Sequence, residues 1–419
     1  MNSLANGLAG LALILGIAVL LSEKPKRIPW KSVGLGLAIQ VALFVLIFGI
    51  PALGFRGPFR FLFQFLNLGF TTLLSFSDLA SSFLFGDLAR PGTSTGFVFR
   101  ALTPVVFLSS LVSVAHYVGL LEKIVNFAAS LLKRSLGASG PEAVNAAGNI
   151  FLGQIEAPML IRPFLSGLTR SEVFCVMTAG MSTVAAGAIA ALVGVLGPHV
   201  PDIAGHLLTA SVMAAPGSIY ISKILIPEDA PVDEIREKIP QAQRSPDSNL
   251  VSALVRGAQE GLYMSFSICA VLIAFLGVIA ALDLGIENLM KILGLFEGQT
   301  IGFSEILGWA FSPLAWAMGC PWSEALLVGK LLGQKMFFNE FVAYIEFSQI
   351  AESLSNRSLI IASYSLCGFA NFASIGIQVA GIGVLAPSQK KTLARLGFKA
   401  MIAGTLTTLI TGTLAGLLS

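Results

Sequence analysis

Eight stretches of this chain, near 4–21, 30–53, 97–120, 171–197, 204–226, 261–284, 358–384 and 397–418, are apolar over about the 20 residues a helix needs to cross a bilayer. Lipid offers the backbone no hydrogen-bond partners, so such runs can only be helices packed side by side. The reading is an all-α membrane protein with about eight transmembrane helices. Only 12% of the 419 residues are charged, about half the share of a soluble domain. The net charge of +3 fits basic loops on one membrane face and is poorly explained by a nucleic-acid surface.

The basic residues set an orientation. Leu4 to Leu21 has no Lys or Arg before it and no small-residue cleavage site after it, so it reads as a retained first span and not a signal peptide. Lys24, Lys26, Arg27 and Lys31 follow it, which puts that loop inside and both termini outside. Lys123, Lys133, Arg134, Arg162, Arg170, Lys390, Lys391, Arg395 and Lys399 fall on the same side of this topology. The stretch from Pro227 to Asn249, rich in proline and charge, reads as a solvated loop between two halves. Cys175, Cys269, Cys320 and Cys367 are scattered in apolar runs and read as packed free thiols. His116, His199 and His206 have no metal-ligand spacing.

Two apolar regions are interrupted where a span should be smooth. In 141–166 the residues Gly153, Gln154, Glu156 and Pro158 break the middle, and in 304–345 the break is GCPWSEA at 319–325. Both are expected to be re-entrant hairpins with polar tips at membrane depth, which is tolerated only against protein or a cavity. Each is followed by a span with small and polar residues at its centre, MSTVAAGAIA at 181–190 and GFANFASIGI at 368–377, where a helix break is expected. One hairpin follows an inside segment and the other an outside one, the layout of an inverted repeat that places a site at the midplane.

Glu156 and Glu324 are the residues hardest to explain as packing, because a central charge costs at least about 2.5–3.5 kcal/mol on insertion scales. The bland alternative pairs them with Arg162 or Lys330. The functional one makes them cavity carboxylates that accept hydrogen bonds from a polar neutral solute. Gln154 offers an amide beside Glu156. Asn371 and Ser374, spaced i, i+3, share a helix face beside Phe369. Asn149 and Thr183, with the carbonyls of Leu152 and Val184 at broken helix ends, are weak candidates for a cation.

GQIEAPMLIRPF (153–164), PWSEALLVG (321–329), NEFVAY (339–344) and CGFANFASIGI (367–377) together resemble the concentrative nucleoside transporter family, over nearly the whole chain. The resemblance implies a homotrimer in the bacterial inner membrane that imports nucleosides with a coupling cation, by an elevator-like displacement of a transport domain against a scaffold. It implies scaffold helices in 1–120, namely the first three spans and an interfacial segment, a first transport half in 121–226, a cytoplasmic loop in 227–260, a scaffold span and interfacial segment in 261–303, a second transport half in 304–396 and a last span in 397–419. Gln154, Ile155, Glu156 and Phe266 would face the nucleobase, and Glu324, Phe369, Asn371 and Ser374 the ribose. Asn149, Leu152, Thr183 and Val184 would hold sodium, and no other cofactor is implied. Two positions depart from the family. Ile155 stands where Thr or Ser is common, which bears on base selectivity, and Thr183 stands where Ser is often found. The rival readings are a proton-coupled nucleoside symporter, a membrane-embedded enzyme and a channel. The absence of a nucleophile–base or metal constellation in the sequence disfavours the enzyme.

Overall fold

The structure, a computed structural model, describes residues 3–50, 54–89, 99, 102–200, 202–229, 245–293 and 301–418. It is almost wholly helical. Antiparallel pairing of Gly49–Ile50 with Phe55–Arg56 is the only strand structure among the described residues.

Helices α1 (Ser3–Leu20) and α2 (Trp30–Phe48) match the first two expected spans. The region expected to hold an interfacial segment contains α3 (Arg60–Phe85), which is long and apolar enough to cross a membrane. Six of the described helices pass that test, or seven if the bent pair α4 (Thr103–Tyr117) and α5 (Leu120–Leu136) is one span. Residues 51–53, 97, 98, 100 and 101 of the expected spans lie outside the described residues.

The first hairpin is where the sequence puts it. Its first arm, α6 (Gly140–Gly148), starts at a capping box in which Ser139 and Glu142 satisfy each other's backbone N–H groups. A turn over 149–155 is followed by the short helices α7 (Glu156–Met159) and α8 (Arg162–Leu165). The next span breaks as expected: α9 (Arg170–Ser182) stops, 183–185 is non-helical, and α10 (Ala186–Leu196) resumes. Then α11 (Ile203–Leu225) closes the first half.

The long helix α12 (Leu250–Ile292) begins eleven residues before the expected span, so the loop assigned to 227–260 is helical from 250 onward. Residues 230–244 of that loop lie outside the described residues. It packs along α4, where Gly257 and Gly261 lie so close that a Cβ would stand 2.6 Å from α4 atoms.

The second hairpin lies one helix further on than expected. Two helices, α13 (Phe303–Ala317) and α14 (Trp322–Phe337), are joined by the turn at Met318–Pro321, with Gly319 at a φ of +110°. This is the joint that GCPWSEA marks. It lies beside the start of α16 (Asn356–Leu366), where Arg357 approaches Gly319 and Glu324 accepts from Ser355. The break that reaches the other hairpin's partners is Phe338–Asn339, between α14 and α15 (Glu340–Ile350). No proline or glycine marks it. Asn339 ends one helix run and caps the next by accepting from Val342 N–H at 2.9 Å. The hairpin is therefore α14 and α15, with Glu340 at its tip.

With that correction the halves correspond element by element. The series α5, α6, tip, α7–α8, α9–α10, α11 repeats as α13, α14, tip, α15, α16 with α17 (Phe372–Leu385), and α18 (Lys390–Leu418). The second broken span parts at 367–371. Glu324 holds the third helical position of α14, the place Glu142 holds in α6. Both brace the base of a hairpin.

One membrane face gathers the charges expected inside. Glu23 pairs with Arg170 and with Lys399, Asp229 with Lys24 and Arg27, and Glu142 with Lys223. The first hairpin enters from this face. The segment leading to the second begins near the far end of α12, where Asp283 accepts from Phe303 N–H at 2.6 Å. The helices α9, α10, α11 and α18 form the buried centre, while α3 and α12 leave most of their apolar surface uncovered.

Candidate substrate and cation site

Four chain breaks converge: the tip at 149–155, the tip at 338–339, and the breaks at 183–185 and 367–371. The Phe151 carbonyl accepts from Ala186 N–H at 3.1 Å, which ties the first tip to the first broken span. At Gly368 the broken spans touch: a Cβ there would stand 3.0 Å from the Met181 carbonyl oxygen and 3.1 Å from that of Ser182.

A chain of polar side chains crosses this junction. Gln154 Nε2 donates to Ser374 Oγ at 3.2 Å. Asn371 caps α17, its Oδ1 accepting from Ser374 N–H at 2.9 Å, and its Nδ2 donates to Glu340 Oε2 at 3.0 Å. All four residues are buried. The i, i+3 spacing of Asn371 and Ser374 is thus a helix cap as well as a shared face. Gln154 keeps its Oε1 without a partner, buried at the same place. Phe369 is half-buried within the break.

Glu156 heads α7, and its carboxylate folds back over Gly153, where any side chain would collide with it. It opens onto a cavity of about 290 Å³ lined also by Leu152, Met159, Arg162, Arg256 and Met264. That is near the small end of the range for small-molecule sites. Ile155 turns the other way. A Cβ on Gly381 of α17 would stand 2.7 Å from its side chain, so Ile155 is seated in a notch between hairpin and span.

Two sequence assignments are corrected. Glu324 lies at the base of α14, with its Oε2 accepting from Ser355 Oγ at 2.8 Å and Ser355 N–H at 3.1 Å, and the structure does not bring it to Asn371. Glu340 is the carboxylate that meets Asn371, and NEFVAY carried the signal in the Asn339 cap followed by a buried acid. Lys330, offered as a partner for Glu324, instead pairs with Glu305 and Glu346. Phe266 is 67% exposed on the outer face of α12. Two residues along a helix is about 200° of rotation, and Met264, not Phe266, lines the cavity. The small-residue stripe Gly257 and Gly261 marks that inner face.

The sodium candidates lie on the first tip and the first broken span, which the Phe151–Ala186 hydrogen bond joins. Asn149 ends α6 and donates Nδ2 to the Asn145 carbonyl at 2.9 Å, leaving Oδ1 fully buried and without a partner. Thr183 donates to the Ala179 carbonyl at 3.0 Å, so its oxygen lone pairs remain available. Leu152 lies in the tip and Val184 in the break that the Phe151–Ala186 bond joins. A buried orphan acceptor beside unwound backbone fits a hard cation.

Two opposed hairpins whose tips meet two broken spans at a polar junction define a secondary transporter of the inverted-repeat type. Family models agree: the Na+ dependent nucleoside transporter N-terminus matches residues 9–88, its C-terminus 206–416, and a nucleoside recognition (gate) model 98–199. The chain belongs to the Na+ dependent, or concentrative, nucleoside transporter family, whose members are transporters and not enzymes. It is 37% identical over 411 residues to the transporter YutK of Bacillus subtilis, covering 98% of each chain. It is 33% identical over 428 residues to sodium/nucleoside cotransporter 1 of Mus musculus, covering 98% of this chain and 63% of that one. Its fold matches CNTnw in an inward-facing substrate-bound state with a TM-score of 0.90 at 35% identity, over 100% of this chain and 98% of that one. An outward-facing state of substituted CNTnw matches at 0.89 and 35% identity, with the same coverage.

Proposed function

We propose that this nucleoside transporter is a sodium-coupled symporter that imports its solute by an elevator-type displacement of the hairpin-bearing domain. The observation that carries the reading is the buried chain from Gln154 through Ser374 and Asn371 to Glu340, which joins the two hairpin tips through the second broken span. A nucleoside has one edge of ring nitrogens and carbonyls and another of paired hydroxyls. Glu340, an acid within reach of Asn371, is suited to accept from two ribose hydroxyls, and Asn371 and Ser374 line the same end beside Phe369. The free Oε1 of Gln154 and the carboxylate of Glu156 supply acceptors for the base. Ile155 fixes the tip that carries both through its seat on Gly381.

Asn149 Oδ1, Thr183 Oγ1 and the carbonyls of Leu152 and Val184 are the ligands proposed for sodium. Binding there would stiffen the first tip and the first break, the two segments that carry Gln154 and abut Gly368, so the ion and the solute favour each other. The protein is proposed to work as a homotrimer in the bacterial inner membrane with both termini outside. The charge cluster of Glu23, Arg170, Asp229 and Lys399 supports a cytoplasmic assignment of that face.

Counterflow in proteoliposomes with sodium and pH gradients imposed separately tests the coupling. Uptake should follow the sodium gradient, and uptake that follows only the pH gradient would overturn it. A thermal-shift screen of nucleosides with and without sodium tests the substrate class, since only ligands of the folded state stabilise it. No shift with any nucleoside at millimolar concentration would remove the substrate assignment.

A further inference from the structure

The repeat leaves one question about the second half. The first broken span ends α9 at a set of oxygens suited to a cation, and α16 ends at the equivalent break. What stands there is Lys335. Its side chain, on the last turn of α14, is 2% exposed. Its ammonium donates to the Ser365 carbonyl at 3.1 Å and to Thr408 Oγ1 at 2.8 Å. Ser365 is one residue from the end of α16, so the carbonyl belongs to the electronegative terminus of that half-helix. Both partners are neutral oxygens, a helix-end carbonyl and a threonine hydroxyl. That is the ligand chemistry of a monovalent-cation site. Glu340, on the same hairpin, is near enough to attract the ammonium, but its hydrogen bond is from Asn371.

A buried ammonium is expensive unless partners offset its lost hydration, and here two oxygens do so. We infer that Lys335 is a tethered cation that fills, in the second half, the place the coupling ion takes in the first. The second broken span would thus carry a covalently held ammonium at its break, and the transporter would need one exchangeable cation where the repeat provides two positions. The inference rests on the sodium assignment above for the identity of the mobile ion. The tethered role of Lys335 is testable without it.

The decisive variant is Lys335→Ala in the full-length protein, compared with Lys335→Arg. Removing the side chain vacates an oxygen-lined space that a small cation can enter. Folding is read by size-exclusion profile and melting temperature in sodium, methylammonium or choline salts. Uptake is read against sodium concentration in proteoliposomes. Lys335→Ala should be stabilised by sodium or methylammonium over choline by several degrees more than the parent is. Its uptake should show a sodium Hill coefficient near two where the parent shows one, or be restored by methylammonium. Lys335→Arg, which keeps the charge, should behave as the parent. Lys335→Ala that behaves alike in all three salts, whether folded or unfolded, overturns the inference. So does a folded variant with the parent's sodium dependence and no methylammonium rescue. If the parent proves independent of sodium, the coupling proposal fails, while methylammonium rescue of Lys335→Ala still reports on Lys335.

Discussion

Glu340→Gln, set against Glu324→Gln, separates the carboxylate proposed to meet the solute from the one that accepts from a helix cap. Glu340 is 3% exposed and receives one hydrogen bond from Asn371 at 3.0 Å, so one carboxylate oxygen is left for ligand hydroxyls. The glutamine keeps an acceptor for Asn371, and the fold should survive. What it loses is charge. Charge-assisted hydrogen bonds are roughly twice as strong as neutral ones, and a bond to a charged group contributes about 1.5–3 kcal/mol. Halving two such bonds costs about 1.5–3 kcal/mol, a rise in KM of roughly 10- to 150-fold. Glu324 accepts from the N-cap residue Ser355 and touches neither Asn371 nor Ser374. Its amide can still accept from Ser355, so KM should stay within about twofold while stability falls by about 0.5–1 kcal/mol. Radiolabelled nucleoside uptake in proteoliposomes, with melting temperatures of both variants, makes the comparison. A tenfold rise in KM for Glu324→Gln together with an unchanged Glu340→Gln would refute the assignment.

Three further outcomes are expected. Asn149→Ala removes the buried orphan Oδ1 and should raise the sodium concentration for half-maximal uptake by about tenfold, the worth of one ligand at about 1.4 kcal/mol, while choline-background binding of nucleoside stays unchanged. Gly381→Ala puts a Cβ 2.7 Å from Ile155 and should cost about 1–3 kcal/mol by overpacking; the double variant with Ile155→Ala should recover most of it, and simple additivity in a double-mutant cycle would show that the two do not share the notch. Arg170, helped by Lys399, holds the Glu23 carboxyl down to about 2 from its ordinary 4.5. The folded form therefore gains from Glu23 above about pH 4.5 and loses that gain as the pH falls toward 2. Glu23→Gln should melt lower than the parent at pH 7, by an amount that suits a partly exposed network of about 0.2–1 kcal/mol per pair, and the gap should narrow on acidification.

How far the sequence can be read depends on what breaks each helix. The first hairpin and both broken spans were legible because Gly153, Pro158, Thr183 and Gly368 interrupt apolar runs with residues that disfavour helix or leave no side chain. The second hairpin was misplaced for the same reason. Gly319 and Pro321 are louder breakers than Phe338–Asn339, but they mark an ordinary turn at the base, while the break beside Asn371 is made by a cap alone. A periodicity argument sees composition, and Asn339 changes little in composition. The Phe266 assignment failed on rotation: the inner face of α12 is set by how closely Gly257 and Gly261 let α4 approach, a tertiary fact. The cation set Asn149 and Thr183 was nameable, but its strongest support, an acceptor with no donor, exists only once the chain is folded.

The contact at Gly368 carries a consequence for how two ligands can sense each other. Its alpha carbon rests on the last carbonyls of α9, with no side chain between them. At this separation neither backbone can move toward the other unless the other gives way. The break proposed to face the ion and the one proposed to face the ribose are thereby in direct contact. A guest that quiets one side has already met part of the entropy cost of ordering the other. Cooperation between ion and solute would then need no travelling conformational signal. Widening this one point, by Gly368→Ala, should weaken mutual affinity before it weakens either ligand alone.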